Sequence, residues 1–156
     1  MADIYDKLKA DHDRQRDMLQ RLGDGQGDRR ALFEELRLEL QAHAAAEEES
    51  LYATMLAKPE VRDDARHSVA EHKEVDDILG EMMGLDPASA AWDETFAHLR
   101  HRYEHHIDEE EEEMFPAAAE VLSSHKEAEL AGVYENRKPA ELENAKANPP
   151  GHDERE

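Results

Sequence analysis

Apolar residues recur along this chain at alternating steps of three and four, four times over, with loop-forming residues between the repeats. That spacing keeps one face of a helix apolar, because about 3.6 residues complete a turn. The first stretch runs from about Asp3 to Leu22, with Tyr5, Leu8, His12, Leu19 and Leu22 on the stripe. Gly23, Gly25 and Gly27 end it in a loop. The second follows Asp28, a residue suited to cap a helix N-terminus, and its stripe is Leu32, Leu36, Leu40, His43, Glu47 and Leu51, closed by Pro59. The third spans about Glu60 to Leu85 through Val61, Ala65, Val69, His72, Asp76, Leu79 and Met83. The fourth opens at Asp86-Pro87, read as N-cap and first helical residue, and carries Trp92, Phe96, Leu99, Tyr103, His106, Glu110 and Met114. Pro116 is expected to kink or stop it, ahead of a short helical piece over Ala117 to Leu122.

No run rich in Val, Ile and Thr argues for strands. The connections are short, so successive helices should pack as antiparallel neighbours. The predicted fold is therefore all-α: an up-down-up-down four-helix bundle over residues 1–123. A short C-terminal helix is expected within residues 124–138, covering His125 to Tyr134. The polar stretch 139–156, with Asn148, Pro149, Pro150 and Gly151, reads as a disordered tail.

The stripes carry an anomaly. Each places one histidine at a core position: His12, His43, His72 and His106. Two add a carboxylate one turn later, Glu47 after His43 and Glu110 after His106, and residues four apart share a helix face. A buried carboxylate without a partner costs several kcal/mol. Imidazoles and carboxylates converging in one core therefore demand compensation, which a bound divalent cation supplies. The chain has no cysteine, so ligation is by nitrogen and oxygen. That donor set suits iron or manganese, and zinc or copper less distinctively.

Glutamate is abundant enough to produce the same spacing by chance, as at His67–Glu71, His105–Glu109 and His125–Glu129. Stripe position separates these. His105 shares a polar face with His98, His101 and Asp108, and His67 sits five residues ahead of His72, so both read as solvated surface residues. His101 and His105, four apart, offer at most a place for a stray surface ion. Register gives a second test. His43 is followed by AAAEEESLY and His106 by IDEEEEEMFP, so Glu stands four and five residues on in both, with an aromatic nine on. Tyr103, one turn before His106, is either a core aromatic or a hydrogen-bond donor to whatever the site holds.

Charge narrows the classes further. The formal net charge is −21, from 40 acidic and 19 basic residues among 156. Such a chain repels phosphate backbones and anionic membranes, so neither nucleic acid nor membrane is an expected partner. The N-terminus MADIYDKLKADHD lacks the pattern of a secretory signal, and no apolar run approaches a membrane span. The expected location is cytoplasmic. No nucleotide-binding loop or nucleophile triad supports a hydrolase or kinase reading.

The order His, HxxxE, His, HxxxE over about Ile4 to Pro116 resembles the hemerythrin-like, HHE cation-binding domain. The resemblance implies two iron ions in the bundle core. His12 and His43 would serve one and His72 and His106 the other, with Glu47 and Glu110 bridging them. It also implies binding of, or reaction with, a small oxidant: dioxygen, peroxide or nitric oxide. Oxygen-carrying hemerythrins have HxxxH on the third helix, whereas here Asp76 follows His72, and HxxxxD on the fourth, whereas here it is HxxxE. One imidazole is thus missing. Either Asp76 is an additional ligand, or that ion keeps water or hydroxide. Three functions remain open: a di-iron protein reacting with a small oxidant, a non-catalytic iron-holding or iron- and oxygen-sensing protein, and a metal-free acidic helical module. The sequence identifies no protein partner.

Overall fold

The computed structural model describes residues 2–25 and 27–151. They form helices α1 (Ile4–Gly23), α2 (Arg29–Glu47), α3 (Ala53–Leu56), α4 (Arg62–Met83), α5 (Ala90–Glu109), α6 (Phe115–Val121) and α7 (Ser124–Ala147). π-helical turns at Glu48–Tyr52 and Glu110–Met114 join α2 to α3 and α5 to α6, so the four rods of the bundle are α1, α2–α3, α4 and α5–α6. No strand occurs among the described residues, and the predicted all-α bundle is the architecture found.

Helix starts follow local chemistry. Asp3 accepts from the Asp6 N–H at 2.9 Å while Asp6 accepts from the Asp3 N–H at 3.2 Å, a reciprocal box that satisfies orphan donors of α1. Asp28 caps α2 by accepting from the N–H groups of Arg30 and Ala31. Between them Gly25 and Gly27 take φ of 73° and 71°, a left-handed conformation open to glycine at little steric cost. The fourth rod begins later than Asp86-Pro87. Asp86 accepts from the Ala88 N–H in a preceding turn, and Ser89 is the N-cap, accepting from the Trp92 N–H at 3.1 Å. On α4 the apolar stripe ends on buried Met82 rather than Met83, which is 43% exposed.

The π turns change the register. In each, one N–H reaches back five residues, Ala53 to Glu48 and Phe115 to Glu110. One inserted residue rotates the downstream helix by about 100°. Tyr52, five residues after Glu47, and Phe115, five after Glu110, are thereby brought round to the core, where they are 0% and 3% exposed. The second π turn also accommodates Pro116. The proline falls where the regular ladder is already interrupted, so helix resumes instead of stopping.

The C-terminal helix departs most from expectation. α7 passes through Pro139 to Ala147, so a disordered tail from residue 139 is not what forms. An internal proline costs roughly 3 kcal/mol, and tertiary contacts on both sides of it offset that. Lys138 Nζ donates to Asp11 and Glu39 at 2.7 Å, Arg37 Nη1 donates to the Ala145 carbonyl at 2.6 Å, and Gln41 Nε2 donates to the Asn148 carbonyl at 3.0 Å. α7 packs most extensively on α2 and also contacts α1, joining the same body as the bundle. Residues 152–156 of the expected tail lie outside the described residues.

The core is split. One apolar cluster gathers Ile4, Leu8, Leu51, Met55, Phe115 and Leu130 with their neighbours; the other gathers Leu19, Leu36, Leu79, Trp92, Phe96 and Leu99. The histidine-bearing turns lie between them.

Candidate metal centre

Each of the four rods contributes its midpoint to a polar layer between the two apolar clusters. His12, His43, His72 and His106 are at most 7% exposed, and Glu47 and Glu110 are 0% and 1% exposed. Two overlapping sets of donor atoms result, each within 4.8 Å of one another: His12, His43, Glu47 and Glu110, and His72, His106, Glu47 and Glu110. Both glutamates belong to both sets. The imidazoles stand in pairs, with ring centroids 5.1 Å apart for His12–His43 and 4.9 Å for His72–His106.

Each ring has one nitrogen already committed. His12 Nδ1 meets Glu111 Oε2 at 2.6 Å, His72 Nδ1 meets Glu48 Oε2 at 2.8 Å, and His106 Nδ1 meets Glu71 Oε1 at 2.8 Å. His43 Nδ1 lies 2.7 Å from the Tyr134 hydroxyl oxygen and 3.2 Å from Asp11 Oδ2. The Tyr134 hydroxyl itself donates to Asp11. An ionised carboxylate can only accept, so Nδ1 carries the proton and Nε2 presents its lone pair to the centre. Fixing the tautomer of a metal-binding histidine from behind in this way is a recurrent device.

The outer carboxylates obey a two-fold rule. Asp11 and Glu71 each precede a histidine on their own helix and bond the histidine of the adjacent rod. Glu48 and Glu111 each follow an inner glutamate and bond a histidine across the bundle. Exchanging α1–α2 with α4–α5 maps the whole set onto itself.

The inner atoms lack partners. Nε2 of His12, His43 and His72, both oxygens of Glu47 and Oε1 of Glu110 are buried without a hydrogen bond. They lie close to one another all the same: His12 Nε2 is 3.1 Å from Glu110 Oε1, and Glu47 Oε1 is 3.3 Å from His72 Nε2 and 3.5 Å from His43 Nε2. Ligands held at roughly 2.0–2.2 Å from one cation are separated by about 3.0–3.5 Å, so this spacing is that of a coordination shell. The donor set and its orphaned atoms fit a pair of cations.

Electrostatics agree. Burial and the neighbouring Glu110 carboxylate push the Glu47 carboxyl well above its usual range. Burial acts the same way on Glu110, but the approach of His12 and the charge of His106 outweigh it and hold Glu110 below its usual range. Burial lowers His43 to about 4, against the opposing pull of Asp11, so this ring is neutral at pH 7. Burial would lower His12 too, but Glu110 and Glu111 bring it to about 9. A cation bound here would compete with the protons that burial favours on Glu47 and that Glu110 and Glu111 favour on His12.

The remaining candidates fall elsewhere. Asp76 belongs to neither donor set: its carboxylate is half-buried and accepts the Gly151 N–H at 2.8 Å. Tyr103 donates to Gln15, whose amide donates onward to Glu39 at 2.8 Å. Tyr52 is the residue whose hydroxyl donates to Glu110 Oε2. His67 and His105 are exposed as expected, but Glu71 is only 7% exposed, so its pairing with His67 is not a purely surface one. Periodicity missed Asp11, Glu48, Glu71, Glu111, Tyr52 and Tyr134. The dipeptides Asp11-His12 and Glu71-His72 and the doubled glutamates after Glu47 and Glu110 were legible signals for the first four. Tyr52 required the π turn, and Tyr134 the docking of α7.

Known proteins are similar to this chain in sequence and fold. The family model described as hemerythrin HHE cation binding domain matches residues 3–118. The uncharacterized protein Rv2633c of Mycobacterium tuberculosis (strain H37Rv) is 27% identical over 150 residues, covering 93% of this chain and 88% of its own length. The uncharacterized protein Mb2666c of Mycobacterium bovis matches to the same extent. A crystal structure of a hemerythrin HHE cation binding domain-containing protein from Mycobacterium kansasii, a homolog of Rv2633c, superposes with a TM-score of 0.80 at 25% identity, over 94% of this chain and 91% of that one. With a match spanning most of its length and the histidines and glutamates seated between two apolar clusters, this chain belongs to the hemerythrin HHE cation-binding domain family.

Proposed function

We propose that this protein holds two iron ions in its bundle core and reacts with a small oxidant there: dioxygen, peroxide or nitric oxide. The carrying observation is the convergence of unpartnered Nε2 and carboxylate oxygens around two overlapping positions. His12 and His43 would hold one ion and His72 and His106 the other, with Glu47 and Glu110 shared. Iron bound there would supply one-electron redox chemistry and open coordination positions. The chain's own groups do the rest. The outer carboxylates fix each imidazole, and the two apolar clusters exclude bulk water. The Tyr52 hydroxyl donates to Glu110 Oε2 and orients that carboxylate.

A specific feature favours a reactive site over mere storage. A cavity of about 600 Å³ between α2, α4 and α7 has His72 and Glu48 in its wall, so a small molecule can reach the edge of the buried layer. The proposed setting is cytoplasmic, and the net charge of −21 favours a small oxidant as partner over a nucleic acid or an anionic bilayer. No described helix is long and apolar enough to cross a membrane.

Metal analysis of protein purified without a histidine tag is the first test, and two irons per chain are expected. The reduced protein is then mixed with dioxygen or peroxide, and charge-transfer absorption in the near-ultraviolet and visible is expected. Two bound irons with a silent spectrum would reject the oxidant chemistry in favour of iron holding. Absence of iron after anaerobic reconstitution would reject both.

A further inference from the structure

Two HxxxE pairs lie off the apolar stripes, His67–Glu71 on α4 and His105–Glu109 on α5, and the packing of these helices brings them together. His67 Nε2 is 3.2 Å from Glu109 Oε1 and 3.5 Å from Glu71 Oε1, and His105 Nε2 is 3.2 Å from Glu109 Oε2. Donor atoms of His67, Glu71 and Glu109 all lie within 4.8 Å of one another. The His67 imidazole and two carboxylates, contributed by two helices, therefore surround one point on the outer face of the bundle, and His105 approaches the other oxygen of Glu109. The spacing is again that of ligands around one cation: bonds of roughly 2.1 Å at the tetrahedral angle separate donors by about 3.4 Å.

A second acidic cluster shows what a site without metal looks like in the same molecule. Asp11, Glu39 and His43 also place donor atoms within that range, but the protein supplies the cation itself. Lys138 Nζ lies 2.7 Å from both Asp11 and Glu39, and Arg14 Nη2 reaches the same two carboxylates at 2.9 and 3.0 Å. At Glu109 the ion-pair partners are the imidazoles of His67 and His105, which can give a lone pair to a metal as lysine and arginine cannot. Glu71 is shared inward, its Oε1 also bonding His106 Nδ1 at 2.8 Å.

We propose that His67, Glu71 and Glu109, with His105 beside them on the far oxygen of Glu109, form a divalent-metal site outside the buried layer, solvent-facing and selective for ions of the zinc and ferrous type. Mixed imidazole and carboxylate donors favour such ions over calcium or magnesium, which prefer all-oxygen shells. The side chains of His67 and His105 are 58% and 59% exposed, so an ion reaches them from solution without opening the bundle. One carboxylate, Glu71, separates the site from the buried histidine layer, which makes it a staging position beside that layer.

The test is zinc binding by the full chain, measured by calorimetry and by metal analysis after gel filtration, compared with the H67A/H105A double variant. Circular dichroism confirms that the variant is folded. Wild type is expected to bind one zinc more per chain than the variant, with that equivalent unaffected by millimolar magnesium or calcium. Wild type binding a single zinc that the variant loses would still support the outer site while rejecting the buried pair. Equal stoichiometry and affinity in the two proteins, or displacement of the extra zinc by equimolar magnesium, would overturn the proposal.

Discussion

Replacing Glu47 by methionine should stabilise the protein in the absence of metal and abolish its stabilisation by metal. Glu47 is completely buried and neither of its carboxylate oxygens makes a hydrogen bond. A buried polar group left unsatisfied costs about 1–3 kcal/mol, and an apolar side chain of similar shape removes that penalty without opening a cavity. The neighbouring Glu110 loses a competing carboxyl at the same time. In chelator the variant should therefore gain about 1–3 kcal/mol. For a domain of this size each kcal/mol moves Tm by about 2–4 °C, so the rise is on the order of 2–12 °C. With metal the order reverses. A ligand at a thousand times its Kd stabilises the native state by about 4 kcal/mol. Wild type gains that increment, while the variant has lost a ligand common to both positions. The assay is a pair of thermal melts for each protein, in chelator and under anaerobic ferrous iron. A variant that melts below wild type in chelator, or that keeps the wild-type shift with iron, would refute the claim that Glu47 is strained by burial and relieved by a cation.

Asp11→Asn weakens the hold on His43 Nδ1 and should lower metal affinity 10- to 100-fold, roughly the effect of losing a group that orients a ligand; chelator competition measures it, and unchanged affinity would remove Asp11 from the site. Arg37→Ala deletes the donor to the Ala145 carbonyl and the pairing with Glu34, and should cost about 1.5–3 kcal/mol with faster proteolysis near residues 140–148; an unchanged cleavage rate would show that α7 is anchored elsewhere. Gly80→Ala favours α4 by about 1 kcal/mol in helix propensity, yet its Cβ would meet the Pro150 carbonyl oxygen at 2.8 Å and Gly151 Cα at 2.9 Å. Global stability should change little while the Gly151 amide loses exchange protection from Asp76, and retained protection would contradict the close approach.

The four long helices and the six inward-facing histidines and glutamates were legible in the chain alone, because both depend on positions along a single helix. A stripe with a 3.6-residue period fixes which residues face inward whatever the partner helix is, so His12, His43, His72, His106, Glu47 and Glu110 could be named in advance. The cap at Asp28 was local for the same reason. Features that involve more than one helix, or a break in the period, emerged only on packing. The π turns rotate Tyr52 and Phe115 into the core, and a fixed period assigns them elsewhere. Pro139 argues locally against a helix, and α7 forms through it because Arg37, Asp11 and Glu39 on other helices hold both flanks. The outer carboxylates lie at the margins of their stripes, where a pattern cannot distinguish solvent from a histidine on the next rod. Asp76 sits on the stripe of α4, yet the chain's own Gly151 takes its carboxylate. Facing inward is a property of a single helix, whereas the identity of the group that is met there depends on how the helices pack.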